Sequence, residues 1–219
     1  MLHANHTPPP SLHVLKSNPL LTSYVALLKK WGQNLNLVAL PDLEHDTRLW
    51  QRHIHDAALL LPFIKTWPRF IDMGSGAGLP GVVLSILTQD MDNIPAAHLV
   101  EANHKRIVFL DEVRRTLNLP LTLHHDRLEK VSLEPPYTFV SRAFRPLKET
   151  LALMQPYLIP ETVYVCLKGA SYQEDVARAQ EGFVFDLEVF KPLAHGETRA
   201  LRLTHIEKKR GTHNIASPD

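Results

Sequence analysis

The stretch DMGSGAGLPG, residues 72–81, decides the fold. It follows a short apolar run, Phe70–Met73, and precedes a helix-forming run, Pro80–Leu87, so it is predicted to carry the chain from a strand into a helix. Gly74, Gly76 and Gly78 remove Cβ atoms where the backbone turns tightly and let a ligand approach it closely. Pro80 suits the first turn of the helix that follows. The dinucleotide fingerprint of such turns is G-x-G-x-x-G. Here the third glycine comes one residue early, and an acid, Asp72, precedes the first glycine by two. The segment therefore reads as a nucleotide-binding βα turn, but not one built for a dinucleotide.

Outward from this turn, short apolar runs alternate with helical stretches, the sequence form of βαβ units and a mainly parallel sheet. Further strands are predicted at His98–Glu101, Leu121–His124, Thr138–Ser141, Val163–Leu167, Val184–Val189 and Ala200–His205, and further helices at Asn103–Leu117, Pro146–Leu158 and Tyr172–Gln180. The last two of the seven strands have no helix between them. The expected fold is thus α/β: a Rossmann-like, doubly wound, seven-stranded sheet closed by an antiparallel hairpin. It occupies residues 65–210. Upstream, residues 18–64 read as a helical extension. Asn18 and Pro19 form a cap and first-turn pair; Leu21, Tyr24, Val25 and Leu28 recur at helical spacing until Gly32, and a second helix is predicted over Glu44–Leu61, ended by Pro62. Residues 1–17, with Pro8–Pro10, are expected to be a flexible leader, and residues 211–219 a flexible tail.

A chain of 219 residues, 44% of them hydrophobic, can bury a substantial core. No apolar run reaches the roughly 18 residues a membrane span requires, and the first residues lack a signal peptide's pattern. A single cysteine, Cys166, excludes an intrachain disulfide and fits a reducing compartment, and the chain is expected to be cytoplasmic and away from membranes. With 24 Lys+Arg against 23 Asp+Glu the chain is no histone-like polycation. Any nucleic-acid contact must come from a local patch.

In an open α/β sheet the ligand lies beyond the carboxyl ends of the strands. Glu101 ends the second strand, where the corresponding acid of nucleotide-binding sheets accepts hydrogen bonds from ribose hydroxyls. The loop Thr88–Ala97 explains its long spacing from Asp72. Arg142 and Lys168 end the fourth and fifth strands, so both are expected to face the substrate and contact phosphate, with Arg145 and Lys148 enlarging the patch. His53/His55 and His124/His125 lack a supporting cluster, and no metal site is expected.

The D-x-G-x-G-x-G form resembles methyltransferases that use S-adenosylmethionine. That cofactor has no pyrophosphate but carries an ammonium and a sulfonium, which favour a nearby carboxylate; Asp72 is expected to supply it. The segments KKWGQNLNL (29–37), RHIHD (52–56), DMGSGAGLPG, KRIVFLDEV (105–113), DRLE (126–129), SRAF (141–144), LKG (167–169) and RALRLTHIEK (199–208) together resemble the bacterial small-subunit ribosomal RNA guanine-N7 methyltransferases, the RsmG or glucose-inhibited division protein B family. The resemblance implies an enzyme that transfers a methyl group from S-adenosylmethionine to N7 of a guanine in 16S rRNA. It implies cofactor contacts at Gly74, Leu79, Leu128, Glu129 and Arg142, to which sheet geometry adds Gly76, Gly78 and Glu101. RNA contacts are expected from Arg142, Lys168 and Arg145. The partner is small-subunit rRNA or the small subunit itself, and the enzyme is expected to be monomeric. The sequence departs from the family pattern with RHIHDA for RHLLDS and NLNLV for NLT. Two features carry no such role: Glu134-Pro135-Pro136-Tyr137 looks like the loop of exocyclic-amine methyltransferases but precedes its strand, and Cys166 lies inside the apolar run VYVCL. A methyltransferase for a small molecule or protein, and a noncatalytic RNA-binding assembly factor, remain as alternatives; the cationic strand ends disfavour the first and the intact glycine turn the second.

Overall fold

The computed structural model describes residues 10–64, 68–135, 137–190 and 198–209. Before the sheet come α1 (Leu12–Ser17), α2 (Pro19–Gly32), α3 (Leu40–Glu44) and α4 (Asp46–Leu49), a π-helical segment (Trp50–His55), α5 (Asp56–Ala58) and α6 (Leu61–Ile64). Then follow β1 (Arg69–Met73), α7 (Gly81–Leu87), β2 (Ala96–Val100), α8 (His104–Thr116), β3 (Leu121–His124), β4 (Thr138–Arg142), α9 (Leu147–Met154), β5 (Val163–Lys168), α10 (Tyr172–Gln180), β6 (Phe183–Phe190) and β7 (Arg199–Lys208). Among the described residues no helix is long and apolar enough to cross a membrane.

The seven strands form one sheet in the order β3-β2-β1-β4-β5-β7-β6. The first five are parallel; β7 runs antiparallel between β5 and β6. Strand order reverses between β1 and β4, both of which pair directly, and a crevice opens there beyond their carboxyl ends. Successive strand residues alternate between two cores, as a period of two requires. Phe70, Leu99, Val140, Val163 and Val165 pack beneath α1, α2, the π segment, α7 and α8. Ile71, Val100, Phe139, Tyr164 and Cys166 pack beneath α9 and α10. The N-terminal helices thus share the core of the sheet.

Three expectations fail locally. The stretch read as a leader contains α1, capped by the Ser11 side chain, which accepts from Val14 N at 3.4 Å, and anchored by the fully buried Leu15. One apolar anchor is too little to register as a periodic pattern. The predicted helix Glu44–Leu61 is broken into three registers and ends at Ala58; Pro62 lies in the first turn of α6, where its missing N–H costs nothing. Helical spacing puts Leu49, His53, Ala57 and Leu60 on one stripe, and all four are buried; the π turns carry extra residues per turn, and Trp50 and Ile54 are buried as well. Helices often open into π geometry where a side chain is turned to a functional purpose. Similarly, the helix predicted to Leu158 tightens into a 3-10 turn at Gln155–Tyr157, where Pro156 cannot donate. The predicted tail lies outside the described residues, as does Pro136.

Candidate cofactor and substrate site

The turn after β1 has φ of +68° at Gly74, +55° at Gly76 and +87° at Gly78. The N–H groups of Gly74 and Ser75 both donate to Val100 O, at 2.9 and 3.0 Å, which ties the turn to the end of β2. Glu101 completes the tie. Its Oε2 accepts from Gly76 N at 2.9 Å and its Oε1 from Asn103 N at 2.7 Å, while the Asn103 side chain caps α8. From the other side Tyr24 of α2, fully buried, donates to Ala77 O at 2.6 Å. The turn is therefore clamped by two helices and a neighbouring strand.

Asp72 does not face the crevice. It is fully buried, and its Oδ2 accepts from Gly81 N at 2.9 Å, holding the start of α7. The reason lies in strand periodicity and the following helix: the side chain two residues before Gly74 points under the turn, where α7 offers it an unpaired N–H. A Cβ on Gly81 would come within 2.6 Å of that carboxylate, so this glycine is a packing glycine. Gly78 is another. A Cβ there would collide with Val82 and Leu110, and Gly78 lines neither cavity described below. Gly76 differs, because the nearest atom to its Cβ would be Gly74 O at 3.7 Å.

Two cavities meet at this turn. The first, of about 320 Å³, is lined by Gly74, Glu101, Arg106, Asp126, Leu128, Glu129 and Phe144 among others. Three acids face it. The second, of about 280 Å³, is lined by His53, Gly74, Ser75, Gly76, Leu79, Arg106 and Arg142, with no acid in its wall. Gly74, Arg106 and Ala143 belong to both. The wall of the first is steadied by Tyr157, whose hydroxyl lies 2.6 Å from Leu128 O and 2.7 Å from Val131 O. In the second, Arg142 donates to His53 Nδ1 at 2.9 Å and His53 Nε2 lies 2.9 Å from Asp42 Oδ2. Of the sequence-predicted residues, Gly74, Glu101, Leu128 and Glu129 line the first cavity, and Gly74, Gly76, Leu79 and Arg142 the second. Sequence reasoning missed His53 and Asp42, whose relation to Arg142 depends on a contact across 89 residues of chain.

Lys168 and Arg145 meet in a third cavity of about 320 Å³, with Arg178, Glu174 and Asp175. Lys168 is not free for phosphate: its Nζ lies 2.6 Å from Asp175 Oδ2 and donates to Arg145 O at 3.0 Å. Asp175 Oδ1 in turn accepts from Leu147 N at 2.8 Å, at the start of α9. The side chains of this ion pair are only 16% and 20% exposed, so removing the cation leaves a half-desolvated carboxylate. Lys168→Ala is expected to lower stability by about 1–3 kcal/mol in urea unfolding. Unchanged stability would return Lys168 to the list of cations free to meet RNA. Arg145 is half exposed, 3.7 Å from Glu149, and its guanidinium lies 5.7 Å from the Phe144 ring; it alone of the three expected RNA residues borders both the first and the third cavity. Cys166 is fully buried in β5, and burial pushes its thiol up to about 11, which leaves no thiolate nucleophile near neutral pH. Among the described residues no group of three or more His, Cys, Asp or Glu could hold a metal ion.

Residues 17–201 match the model of the family GidB, rRNA small subunit methyltransferase G. The chain belongs to that family. The ribosomal RNA small subunit methyltransferase G of Rhodospirillum rubrum is 36% identical over 189 residues, 86% of this chain and 90% of that protein. That of Parvibaculum lavamentivorans is 37% identical over 175 residues, 78% and 75% of the two chains. Among solved structures, a putative O-methyltransferase from Klebsiella pneumoniae covers 88% of this chain and 94% of its own at a TM-score of 0.56 and 12% identity. A ribosomal protein L11 methylase from Lactobacillus delbrueckii subsp. bulgaricus covers 73% and 79% at 0.54 and 14%. These two share the Rossmann-like methyltransferase fold. As an rRNA small subunit methyltransferase G, the chain is a methyltransferase with S-adenosylmethionine as its methyl donor, and the site fits that group. Gly76 leaves open the space that a side chain would fill, the first cavity offers carboxylates to hydroxyl groups, and the second offers Arg142 to a carboxylate with no acid in its described wall.

Proposed function

We propose that the chain transfers a methyl group from S-adenosylmethionine to N7 of a guanine in 16S rRNA, acting as a monomer in the cytoplasm. What supports this reading most is the pair of cavities meeting at Gly74, beyond the carboxyl ends of β1, β2 and β4: one carries Glu101 and Glu129 beside Leu128, the other Arg142 beside open glycine backbone and no acid. In the first, Glu101 accepts from ribose hydroxyls, and Leu128 and Glu129 hold the base. In the second, Gly74, Gly76 and Leu79 present backbone, and Arg142 meets the carboxylate of the methionine part. When bound, the cofactor supplies an electrophilic methyl group on a sulfonium.

Guanine N7 carries an in-plane lone pair and no proton, so the chain need not provide a general base. Its work is to align the reacting atoms and to keep water from between them, which can lower a barrier by roughly 7–11 kcal/mol. Arg106 and Arg142 also keep the second cavity free of negative charge, apart from what the ligand brings. Arg145, half exposed at the rim of the first cavity, is the cation best placed to meet RNA phosphate.

The reading is tested by methyl transfer from labelled cofactor to purified small subunits and to naked 16S rRNA, followed by mapping of the product. Cleavage at one guanine by reduction and aniline is expected, and Cys166→Ala is expected to keep full activity. A methyl group mapped to cytosine C5 or to an exocyclic amine would overturn the N7 assignment.

A further inference from the structure

A buried polar chain reaches the second cavity from the N-terminal helices. It begins at Asp42 of α3, passes through His53 in the π segment and ends at Arg142 of β4; Asp42 and His53 are 7% and 6% exposed. The two links are 2.9 Å each, and Arg52 adds a longer bond of 3.3 Å to the other oxygen of Asp42. A guanidinium has only N–H donors, so His53 Nδ1 must accept from Arg142. The proton of the neutral ring then sits on Nε2, facing the carboxylate of Asp42, which only accepts. One protonation pattern satisfies every atom of the chain. A doubly protonated ring would set N–H against N–H at Arg142. The surroundings agree: burial, then the charge of Arg142, pushes His53 down to about 4, against the pull of Asp42, with Arg52 opposing protonation further. Burial raises the Asp42 carboxyl, but its bonds to His53 and Arg52 outweigh this and hold it below its ordinary value.

We infer that His53, backed by Asp42, is a positioning residue for the methyl-transfer site, holding the Arg142 guanidinium toward the turn at Gly74–Ala77 so that its remaining N–H groups meet the anionic end of the cofactor. This rests on the proposed role of Arg142 as a cofactor contact. The choice of a neutral acceptor has a physical reason. A carboxylate at position 53 would neutralise Arg142 and compete with the carboxylate of the ligand, whereas imidazole directs the guanidinium and leaves its charge available. The carboxylates stand further off: Asp42 lies behind His53, where it fixes the tautomer, and the buried Asp56 acts on Arg142 through its charge and is bonded to Thr198. His53 shares the buried face of this segment with Leu49, Ala57 and Leu60, and the π turns bury Trp50 and Ile54 beside it.

The experiment compares S-adenosylhomocysteine binding by calorimetry in wild type, Arg142→Ala, His53→Leu, His53→Asn and the double variant His53→Leu/Arg142→Ala. Arg142→Ala is expected to weaken binding roughly 100-fold, as for loss of a charged contact. His53→Leu should weaken it roughly 10-fold, the size of one neutral hydrogen bond and its directing effect. In His53→Asn the amide oxygen replaces Nδ1 as acceptor and should restore most of the affinity. The double variant should bind no worse than Arg142→Ala alone. Wild-type affinity in Arg142→Ala would remove that residue from the cofactor site and so overturn the reading beneath the inference. Loss in Arg142→Ala without loss in His53→Leu, or equal loss in His53→Leu and His53→Asn, would overturn the positioning role itself. Imidazole ¹⁵N spectra of the unaltered protein supply a test independent of folding in the variants: the expected signal at pH 7 is a neutral ring protonated at Nε2, and a ring protonated at Nδ1 or at both nitrogens contradicts the inference.

Discussion

Gly76→Val is expected to abolish cofactor binding while the sheet remains assembled. At φ +55° a β-branched residue is strained by about 1–2 kcal/mol, a cost a domain of this size can absorb. The effect on the ligand is larger. The new Cβ would have no protein atom nearer than Gly74 O at 3.7 Å, so the side chain projects into the second cavity, filling volume the ligand needs. Affinity for S-adenosylhomocysteine should fall at least 100-fold, about 3 kcal/mol. Gly78→Ala is the contrasting case. Its methyl group would press into Val82 and Leu110 beneath the turn, so unfolding should begin at lower urea. Calorimetry showing unchanged affinity in a folded Gly76→Val protein would sink the assignment of this turn.

A second large effect is expected from Asp72→Asn, and it should appear as a change in pH dependence. Burial raises the Asp72 carboxyl to about 7, with the charge of Glu101 adding to the rise and the bond from Gly81 N opposing it. The unfolded chain releases this proton near the ordinary carboxyl value of 3.8, so between pH 4 and 7 the folded state binds more protons. Stability must therefore fall as pH rises through that window. Most of the loss between pH 5 and 8 amounts to roughly 2–3 kcal/mol. Asparagine presents the same carbonyl to Gly81 N without a titrating proton, and this part of the slope should vanish. Among the described residues Asp72 Oδ1 has no hydrogen-bond partner, so the amide nitrogen of the variant starts equally unpaired, and its cost is independent of pH. Urea unfolding at pH 5 and pH 8 separates the two contributions. Parallel pH dependences for wild type and variant would show that Asp72 is ionised throughout.

The sheet was readable in the sequence because its parallel strands are buried on both faces and appear as apolar runs at near-regular intervals. Strand β3 and helix α10 match their predicted bounds, and the remaining strands differ only at their ends. The glycine turn was legible for the same reason: few sequences other than a tight, ligand-facing turn require three glycines at alternate positions. The role of each glycine was not. Gly76 and Gly78 look alike in sequence, and only the packing of Val82 and Leu110 shows that one faces ligand space and the other the core. Asp72 misled for a related reason, since sequence shows that an acid precedes the turn but not that the strand points it underneath. Lys168 stands at the predicted strand end, yet Asp175, seven residues on, claims its charge. His53 lay in a quoted motif, but its partner is 89 positions away, and no local pattern carries that information.

The placement of β7 has a consequence for how the molecule is made. The last of the described strands to be synthesised is not at the margin of the sheet; it slots between β5 and β6, pairing with both. Until it arrives, β5 presents an open row of N–H and C=O groups, and β6 has no neighbour to join. Thr198, just before β7, also donates to Asp56 Oδ2 at 3.1 Å, so the N-terminal helices gain a contact only at that moment. Synthesis stopped short of residue 198 would leave a bare edge of the kind that pairs with other chains. A nascent chain of this protein is thus most exposed to aggregation while β5 and β6 wait for β7, and the sheet is expected to complete in one step as that hairpin closes.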